Sequence, residues 1–564
     1  MDIADIHVGM PGLVRATIGD WMEMVARDYP DNDALVYHDL GLRLSYRAFN
    51  EQCRRAAKAF YALGVRKGEK VAVWAPNVPE WAIAAFGCAK LGAVLVTVNT
   101  NYKIFELEYL LRQSDAKALL FSDGIKGSDY LAILRELIAE RGADGHYPRV
   151  PELRHIIHLA KHDGSSPTQA DGISEWEDFL ALGDGVPDAV LDQIMAGLDP
   201  DDIINMQYTS GTTGFPKGVC LTHYNILNNG KCIGECMAFS PQDRLCIPVP
   251  FFHCFGMVLA MLACVTHATA MVPVEVYSPL QVMRTVQAER CTALHGVPTM
   301  FIFILEHPDF DTYDFSSLRT GIMAGATCPM EVMKNVCTKM NMRDIVITYG
   351  QTESSPGITM SRTDDPLERR VATVGRVLPH VEAKIIDPET GQEVPDGAPG
   401  EICSRGYHIM KGYYKMPEAT AAAIDADGWL HTGDIGVRDA EGYYSITGRL
   451  KDMIIRGGEN IYPREIEELL YTHPQIKDVQ VVGIPSRKFG EEVCAFVIPQ
   501  ATAAPIEGTA LDEEGVQTYV RERMSRHKVP SLVMFCEAFP MTASGKIQKY
   551  KLREMAAEKL GLEG

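Results

Sequence analysis

Val71-Ala72-Val73-Trp74, then Pro79-Glu80-Trp81-Ala82-Ile83-Ala84-Ala85-Phe86-Gly87-Cys88-Ala89-Lys90-Leu91, then Val94-Leu95-Val96-Thr97-Val98 reads as strand, helix, strand. The outer runs are short, apolar and rich in β-branched residues, as strands covered on both faces are. Asn77 stands just ahead of the helical run and offers its N-terminal cap. A strand–helix–strand unit implies parallel strands with helices packed on them.

The same rhythm extends in both directions of reading. Ala118 to Phe121 and His155 to Leu159 are further strands. After residue 240, Ser278 and Pro279 form a cap and first helical turn, and the helix runs to about Glu289. Thr292 to His295, Gly321 to Ala324 and Ile345 to Tyr349 are strands, with a helix over Pro329 to Met340. Met257 to Val274 is the most apolar stretch, but Thr266, His267 and Thr269 interrupt it, so it reads as a buried helix leading into a buried strand, with no transmembrane segment.

Past residue 370 the texture changes. Glu382 to Asp387, Glu401 to Ser404 and Tyr443 to Thr447 are short strands separated by Gly, Asp and Pro, the pattern of a β-rich subdomain. After Arg449 comes an α+β pattern, with helices over Arg464 to Leu470 and Leu511 to Met524 and strands over Val479 to Ile484 and Val493 to Ile498. The expected fold is therefore α/β: a large N-terminal domain of helix-covered sheets plus a β-rich subdomain (residues 1–450), followed by a small α+β C-terminal domain (451–564).

Size and charge set limits. A chain of 564 residues is too long for one core and suits two or three domains. The net charge of −20 opposes nucleic-acid binding and attraction to anionic membranes, so phosphate-bearing ligands need a locally amide-rich or basic site. Fourteen cysteines without a Cys-x-x-Cys pair read as reduced core thiols, and the N-terminus lacks a secretory pattern, so a cytoplasmic location is expected. Cys232 and Cys236 have no second ligand pair at zinc spacing. Nothing in the chain fixes an oligomeric state, and a dimer stays open.

The strongest local signal is Tyr208-Thr209-Ser210-Gly211-Thr212-Thr213-Gly214-Phe215-Pro216-Lys217-Gly218. Glycines let the backbone approach a phosphate, hydroxyls add donors, and Lys217 adds charge. It is not a Walker loop, since Lys217 follows Pro216 and precedes Gly218.

This run resembles the phosphate-binding signature of the adenylate-forming enzymes, a family that includes acyl-CoA synthetases, luciferases and peptide-synthetase adenylation domains. Further motifs follow in the family's order, and the resemblance spans nearly the whole chain. It implies that Thr209, Ser210, Gly211, Thr212, Thr213, Gly214 and Lys217 cradle the phosphates of ATP. Tyr349-Gly350-Gln351-Thr352-Glu353 resembles the second nucleotide motif: Tyr349 stacks on adenine, Thr352 bonds phosphate and Glu353 holds Mg²⁺. Gly325-Ala326-Thr327 resembles the adenine-pocket wall. Trp429 to Asp434 resembles the ribose motif, with Asp434 accepting from the ribose diol and Arg449 beside it. Lys451 stands at the family's hinge, Gly458 lines its pantetheine tunnel, and Lys546, in Pro540 to Ile547, is its adenylation lysine.

Phe251 to Gly256 resembles the loop that gates the carboxylate pocket; His253 is the candidate gate, with a buried histidine in an aromatic cluster as the alternative. Val297 and Pro298 are expected in the acyl pocket, and Arg487 and Lys488 on the CoA phosphates. The implied activity is an ATP-dependent carboxylic acid:CoA ligase that forms an acyl-adenylate and then passes the acyl group to coenzyme A, with a small C-terminal domain that rotates between the steps. Val98 to Tyr102 and His295 to Thr299 resemble medium-chain and branched fatty acyl-CoA ligases. An aromatic or alicyclic acid such as benzoate, and a non-catalytic nucleotide-binding homologue, remain alternatives. Solvent or His253 is left as the base for the CoA thiol.

Overall fold

The computed structural model describes residues 12–125, 127–142, 146–159, 172–209, 216–326, 328–456, 459–486, 488–500, 511–542 and 547–561, apart from the side chains of Glu459 and Asn460. The chain divides into two compact units. The first comprises Met1–Arg370, Gly375–Glu382 and Ser404–Leu430; the second comprises Val371–Val374, Ala383–Cys403 and His431–Gly564. The Ala383–Cys403 segment thus groups with the C-terminal residues, and the turn Leu450–Asp452 lies inside that unit.

The first unit holds two large sheets. One runs in the order Gly412–Tyr413, Lys217–Thr222, Ile203–Thr209, Val94–Thr97, Lys70–Trp74, Ala116–Phe121, His155–His158, Ser174–Glu175. The other runs Arg376–Val377, Gly357–Met360, Asp344–Gly350, Thr320–Met323, Ala293–Leu294, Arg244–Ile247, Ala270–Pro273, Asp33–Tyr37, Leu42–Ser45. Their central strands are parallel, as the alternation of strand and helix predicts.

The helix Pro79–Leu91 is buried along its entire length, which is why its sequence carries no polar face. A side chain on Gly87 would meet the Cβ of Ala56 at 3.0 Å, so the crossing with the helix Tyr46–Ala62 is close. Lys90, fully buried on this helix, reaches Glu23 of Ile18–Asp28 at 2.6 Å. That ammonium and two further donors, from Arg54 and Asn50, hold the Glu23 carboxyl down at about 2 against the opposing cost of burial.

Two local expectations need correction. Val78, not Asn77, is the N-cap of Pro79–Leu91. Asn77 is buried, and its amide donates to the carbonyls of Val249 (3.0 Å) and Val274 (3.2 Å), while its Oδ1 accepts from the Phe251 N–H at 2.8 Å. Carbonyls left over at the ends of two parallel strands outcompete the helix end for a buried amide. The apolar run after residue 254 is a helix, as read, but Phe255–Leu262 winds as a wide π-helix before Ala263–Thr266 continues as α. Such winding is uncommon and concentrates at functional sites.

Val381–Ile386, Gly400–Gly406, Leu430–Arg438 and Tyr444–Arg449 form a four-stranded sheet, most of whose residues group with the second unit; the ends of three of its strands, at 381–382, 404–406 and 430, fall in the first unit's residue range. Glu459–Ile461, Ile454–Arg456, Gly490–Pro499 and Ile476–Ser486 form another, with Leu532–Phe535 added to Gly490–Pro499. The helices Pro463–Tyr471 and Glu513–Arg521 cover it over a core that includes Ile466, Leu470, Val481, Val493 and Val516.

Three buried histidines of the first unit give stability a pH signature. Burial lowers His295 to about 4, and His223 and His408 to about 3. Each is neutral when folded and takes up a proton when unfolded below pH of about 6.5. Stability is therefore full above that value and falls as pH drops, by at most about 1.4 kcal/mol per histidine per pH unit. Thermal melts from pH 7.5 to 5 should show a falling Tm before carboxylates such as Glu23 begin to protonate. A flat Tm over that range would show that these rings are not held neutral.

Candidate active site

The predicted nucleotide loop connects two neighbouring antiparallel strands of the first unit. Ile203–Thr209 pairs with Lys217–Thr222, and Thr209 lies directly opposite Lys217. The intervening Ser210, Gly211, Thr212, Thr213 and Gly214 lie outside the described residues, as do Thr327, Gly458, Arg487 and Lys546. What the structure fixes is the base of the loop: the Lys217 ammonium sits 4.8 Å above the ring of Tyr413. Such a placement over an aromatic face contributes about 0.5–2 kcal/mol, depending on exposure.

Tyr413 then reaches onward. Its hydroxyl donates to Oε1 of Glu353 at 2.8 Å. Burial, reinforced by the neighbouring carboxylate, drives the phenol's pKa well up, so Tyr413 stays a neutral donor at any working pH. Lys217, Tyr413 and Glu353 thus form one continuous chain of contacts from the nucleotide loop to a buried carboxylate. Tyr413 is the site residue that the sequence does not reveal. It is the first of two adjacent tyrosines and ends the two-residue strand Gly412–Tyr413, and only the pairing of that strand with Val219 and Cys220 brings it under Lys217.

Glu353 owes its position to the end of a strand. Asp344–Gly350 carries Tyr349 and Gly350, and the 3₁₀ turn Thr352–Ser354 follows. A Cβ on Gly350, where φ is +158°, would lie 1.8 Å from the Pro356 carbonyl oxygen, so only glycine permits the return of the chain. The Glu353 carbonyl also accepts from the Met410 N–H at 2.9 Å.

Thr352, next to Glu353, ties this turn to the predicted gate. Its Oγ1 stands 3.7 Å from Cys254 Sγ. His253 Nδ1 accepts from the Phe255 N–H at 3.1 Å, which places the ring proton of the neutral histidine on Nε2. In that tautomer the outward nitrogen donates, which suits holding a carboxylate and does not suit taking a proton from a thiol. Val297 is buried at the start of Pro298–Leu305, with Pro298 in the first helical position. A Cβ on Gly325 would meet Val297 Cγ1 at 3.2 Å, so the predicted adenine wall and acyl pocket adjoin; Gly325 and Ala326 are exposed.

The second unit joins two more predicted partners. Asp434 and Arg449 pair across the strands Leu430–Arg438 and Tyr444–Arg449, and Arg449 Nε lies 3.0 Å from Asp434 Oδ1. Asp434 is buried and Arg449 half exposed, so the guanidinium holds one oxygen of a buried carboxylate. Lys451 follows in the turn Leu450–Asp452. Lys488 is exposed, 4.9 Å from the ring of Phe489, and Arg456 faces that ring at 4.7 Å.

A lysine at the base of a glycine-rich loop, a strand-end carboxylate with an adjoining threonine and, in the second unit, a carboxylate–arginine pair on a β-hairpin are groups suited to an enzyme that handles a nucleotide. Comparison with known families bears this out. The chain belongs to the AMP-binding enzyme family: the family model of that description matches residues 22–414, and the model of the AMP-binding enzyme C-terminal domain matches residues 465–546.

Among individual proteins, it is 53% identical over 557 residues to the putative acyl-CoA synthetase YngI of Bacillus subtilis (strain 168), covering 98% of this chain and 99% of that protein. It is 38% identical over 566 residues to the mitochondrial medium-chain acyl-CoA ligase ACSF2 of Bos taurus, covering 99% and 90% respectively. The solved structure of the anthranilate CoA ligase AuaEII in complex with anthranoyl-AMP is similar over 100% of both chains, at 26% identity and a TM-score of 0.83.

Proposed function

We propose that this protein is an ATP-dependent carboxylic acid:CoA ligase, AMP-forming, whose acid is a medium-chain or branched fatty acid. The observation that carries the reading is the chain Lys217–Tyr413–Glu353 at the base of the nucleotide loop, with Thr352 and the His253 loop beside it. Positive charge, a buried carboxylate and the predicted gate loop all belong to the first unit, which supports this reading. The medium-chain preference is supported by the name of the Bos taurus relative.

In the first half-reaction the substrate carboxylate attacks the α-phosphorus of ATP and pyrophosphate leaves. Both reactants are anions, so the barrier is largely electrostatic repulsion, which preorganised cations and donors lower. Lys217 supplies charge, Thr352 a hydroxyl, and His253 Nε2–H a donor for the acid. Glu353 fits a magnesium ion: a buried carboxylate oriented by Tyr413 is the hard oxygen ligand that such an ion prefers. The ion would neutralise charge on the phosphates. Asp434 and Arg449 would hold the ribose, and Lys546 the α-phosphate and carboxylate.

In the second half-reaction the CoA sulfur attacks the acyl carbon and AMP leaves. Gly458, Arg487 and Lys488 would serve CoA, after a rotation of the residues beyond Lys451. None of the fourteen cysteines is in a disulfide, and all but Cys536 are buried, which supports a reducing, cytoplasmic setting. Among the described residues no helix is long and apolar enough to cross a membrane.

The test is pyrophosphate release with a panel of acids of two to sixteen carbons, alongside benzoate, with and without CoA. We expect the highest kcat/KM at intermediate chain length and AMP as the nucleotide product. Release of ADP, or AMP formation that ignores the acid supplied, would overturn the assignment.

A further inference from the structure

We propose that the four-stranded sheet of the second unit carries a transition-metal site, built from Glu401, Cys403 and His431 and suited to Zn²⁺ or a chemically similar divalent ion. The three side chains reach one point for a reason of topology. Glu401 and Cys403 are two residues apart on the strand Gly400–Gly406, so they share a face. His431 is on the adjacent strand, Leu430–Arg438. Their ligand atoms all lie within 4.8 Å of one another.

Two of the three edges lie close to those of a coordination shell. His431 Nδ1 lies 3.1 Å from Glu401 Oε2 and 3.6 Å from Cys403 Sγ. An ion bound at ordinary zinc distances, with tetrahedral angles, separates its nitrogen and oxygen ligands by roughly 3.4 Å and its nitrogen and sulfur ligands by roughly 3.6 Å. The observed edges need only a few tenths of an ångström of opening. A cation at that point would be coordinated by carboxylate oxygen, thiolate sulfur and imidazole nitrogen together.

Two supporting features match sites that hold metals. The second carboxylate oxygen of Glu401 accepts from the Gly433 N–H at 2.9 Å, which fixes the carboxylate's direction as outer-shell partners do. Glu401 is buried, whereas His431 is 32% exposed, which gives an ion a way in and leaves a fourth position for water. Binding displaces the Cys403 thiol proton to solvent and leaves the imidazole neutral. Its ligand set differs from the magnesium-type oxygen ligand proposed at Glu353, because sulfur and imidazole favour softer ions.

Cobalt(II) titration of the full-length chain tests this without any activity measurement. We expect a saturable thiolate-to-cobalt charge-transfer band and intense visible d–d bands at one equivalent, both removed by added Zn²⁺. Cys403→Ser should abolish the charge-transfer band, and Glu401→Gln should weaken binding roughly 10- to 100-fold. Cys536→Ser, which changes the one cysteine that is not buried, should leave the spectrum intact, with circular dichroism confirming that each variant is folded. No cobalt spectrum, or one that persists in Cys403→Ser, would reduce the trio to a hydrogen-bonded cluster and overturn the proposal. Because the readout is optical, it stands or falls independently of which acid the enzyme activates.

Discussion

Lys546→Ala should lower acyl-adenylate formation roughly 10²- to 10³-fold, the cost of removing one preorganised charge from a transition state of this kind, while thioester formation from supplied acyl-adenylate and CoA stays within about threefold. The asymmetry follows from what each half-reaction needs. Negative charge accumulates where the carboxylate meets the α-phosphate, and a long, flexible ammonium can follow it. Once the adenylate exists, the leaving group is AMP and the attacking group is a sulfur, so that ammonium has no further role. Pyrophosphate release reports the first step, and acyl-CoA formation from synthetic adenylate the second. Comparable losses in both would mean that Lys546 supports the fold or both steps, and that the two half-reactions do not use separate groups.

Much of the fold could be read from local pattern. Pro79–Leu91 has the bounds that the sequence predicts, because thirteen residues without a polar face leave only a buried helix between two strands. Asp434 and Arg449, fifteen positions apart, meet because a hairpin sets them in register, which the short strands around them foreshadow. Asn77 misled, since a cap and a buried cross-link use the same amide, and only the arrival of strands 170 and more residues later decides between them. The π-helix at Phe255–Leu262 has no pattern of its own, because an all-apolar run has no period to betray a wider turn. Tyr413 was hidden for a related reason: its role depends on strand neighbours nearly 200 residues away, and no spacing within Gly412-Tyr413-Tyr414 encodes them.

Tyr413 also yields the sharpest test of how the first unit holds its carboxylate. Glu353→Gln keeps the shape and an acceptor oxygen but removes the charge; it should cost adenylation roughly 10²- to 10³-fold and abolish the response to added magnesium. Tyr413→Phe keeps the ring beneath Lys217 and removes only the hydroxyl that donates to Glu353. Its expected effect is a rise of roughly 10- to 100-fold in the magnesium concentration needed for half-maximal rate, as when a partner that orients a metal ligand is lost. A phenol kept neutral by burial adds no ionisation of its own, so the pH profile should keep its shape. The two substitutions share one mechanism and should therefore not add. In the Glu353→Gln background, Tyr413→Phe should change adenylation by less than about threefold. If the losses instead multiply, Tyr413 acts on the nucleotide loop through Lys217 and not on the metal carboxylate, and the contact chain from loop to strand end would have to be read from its other end.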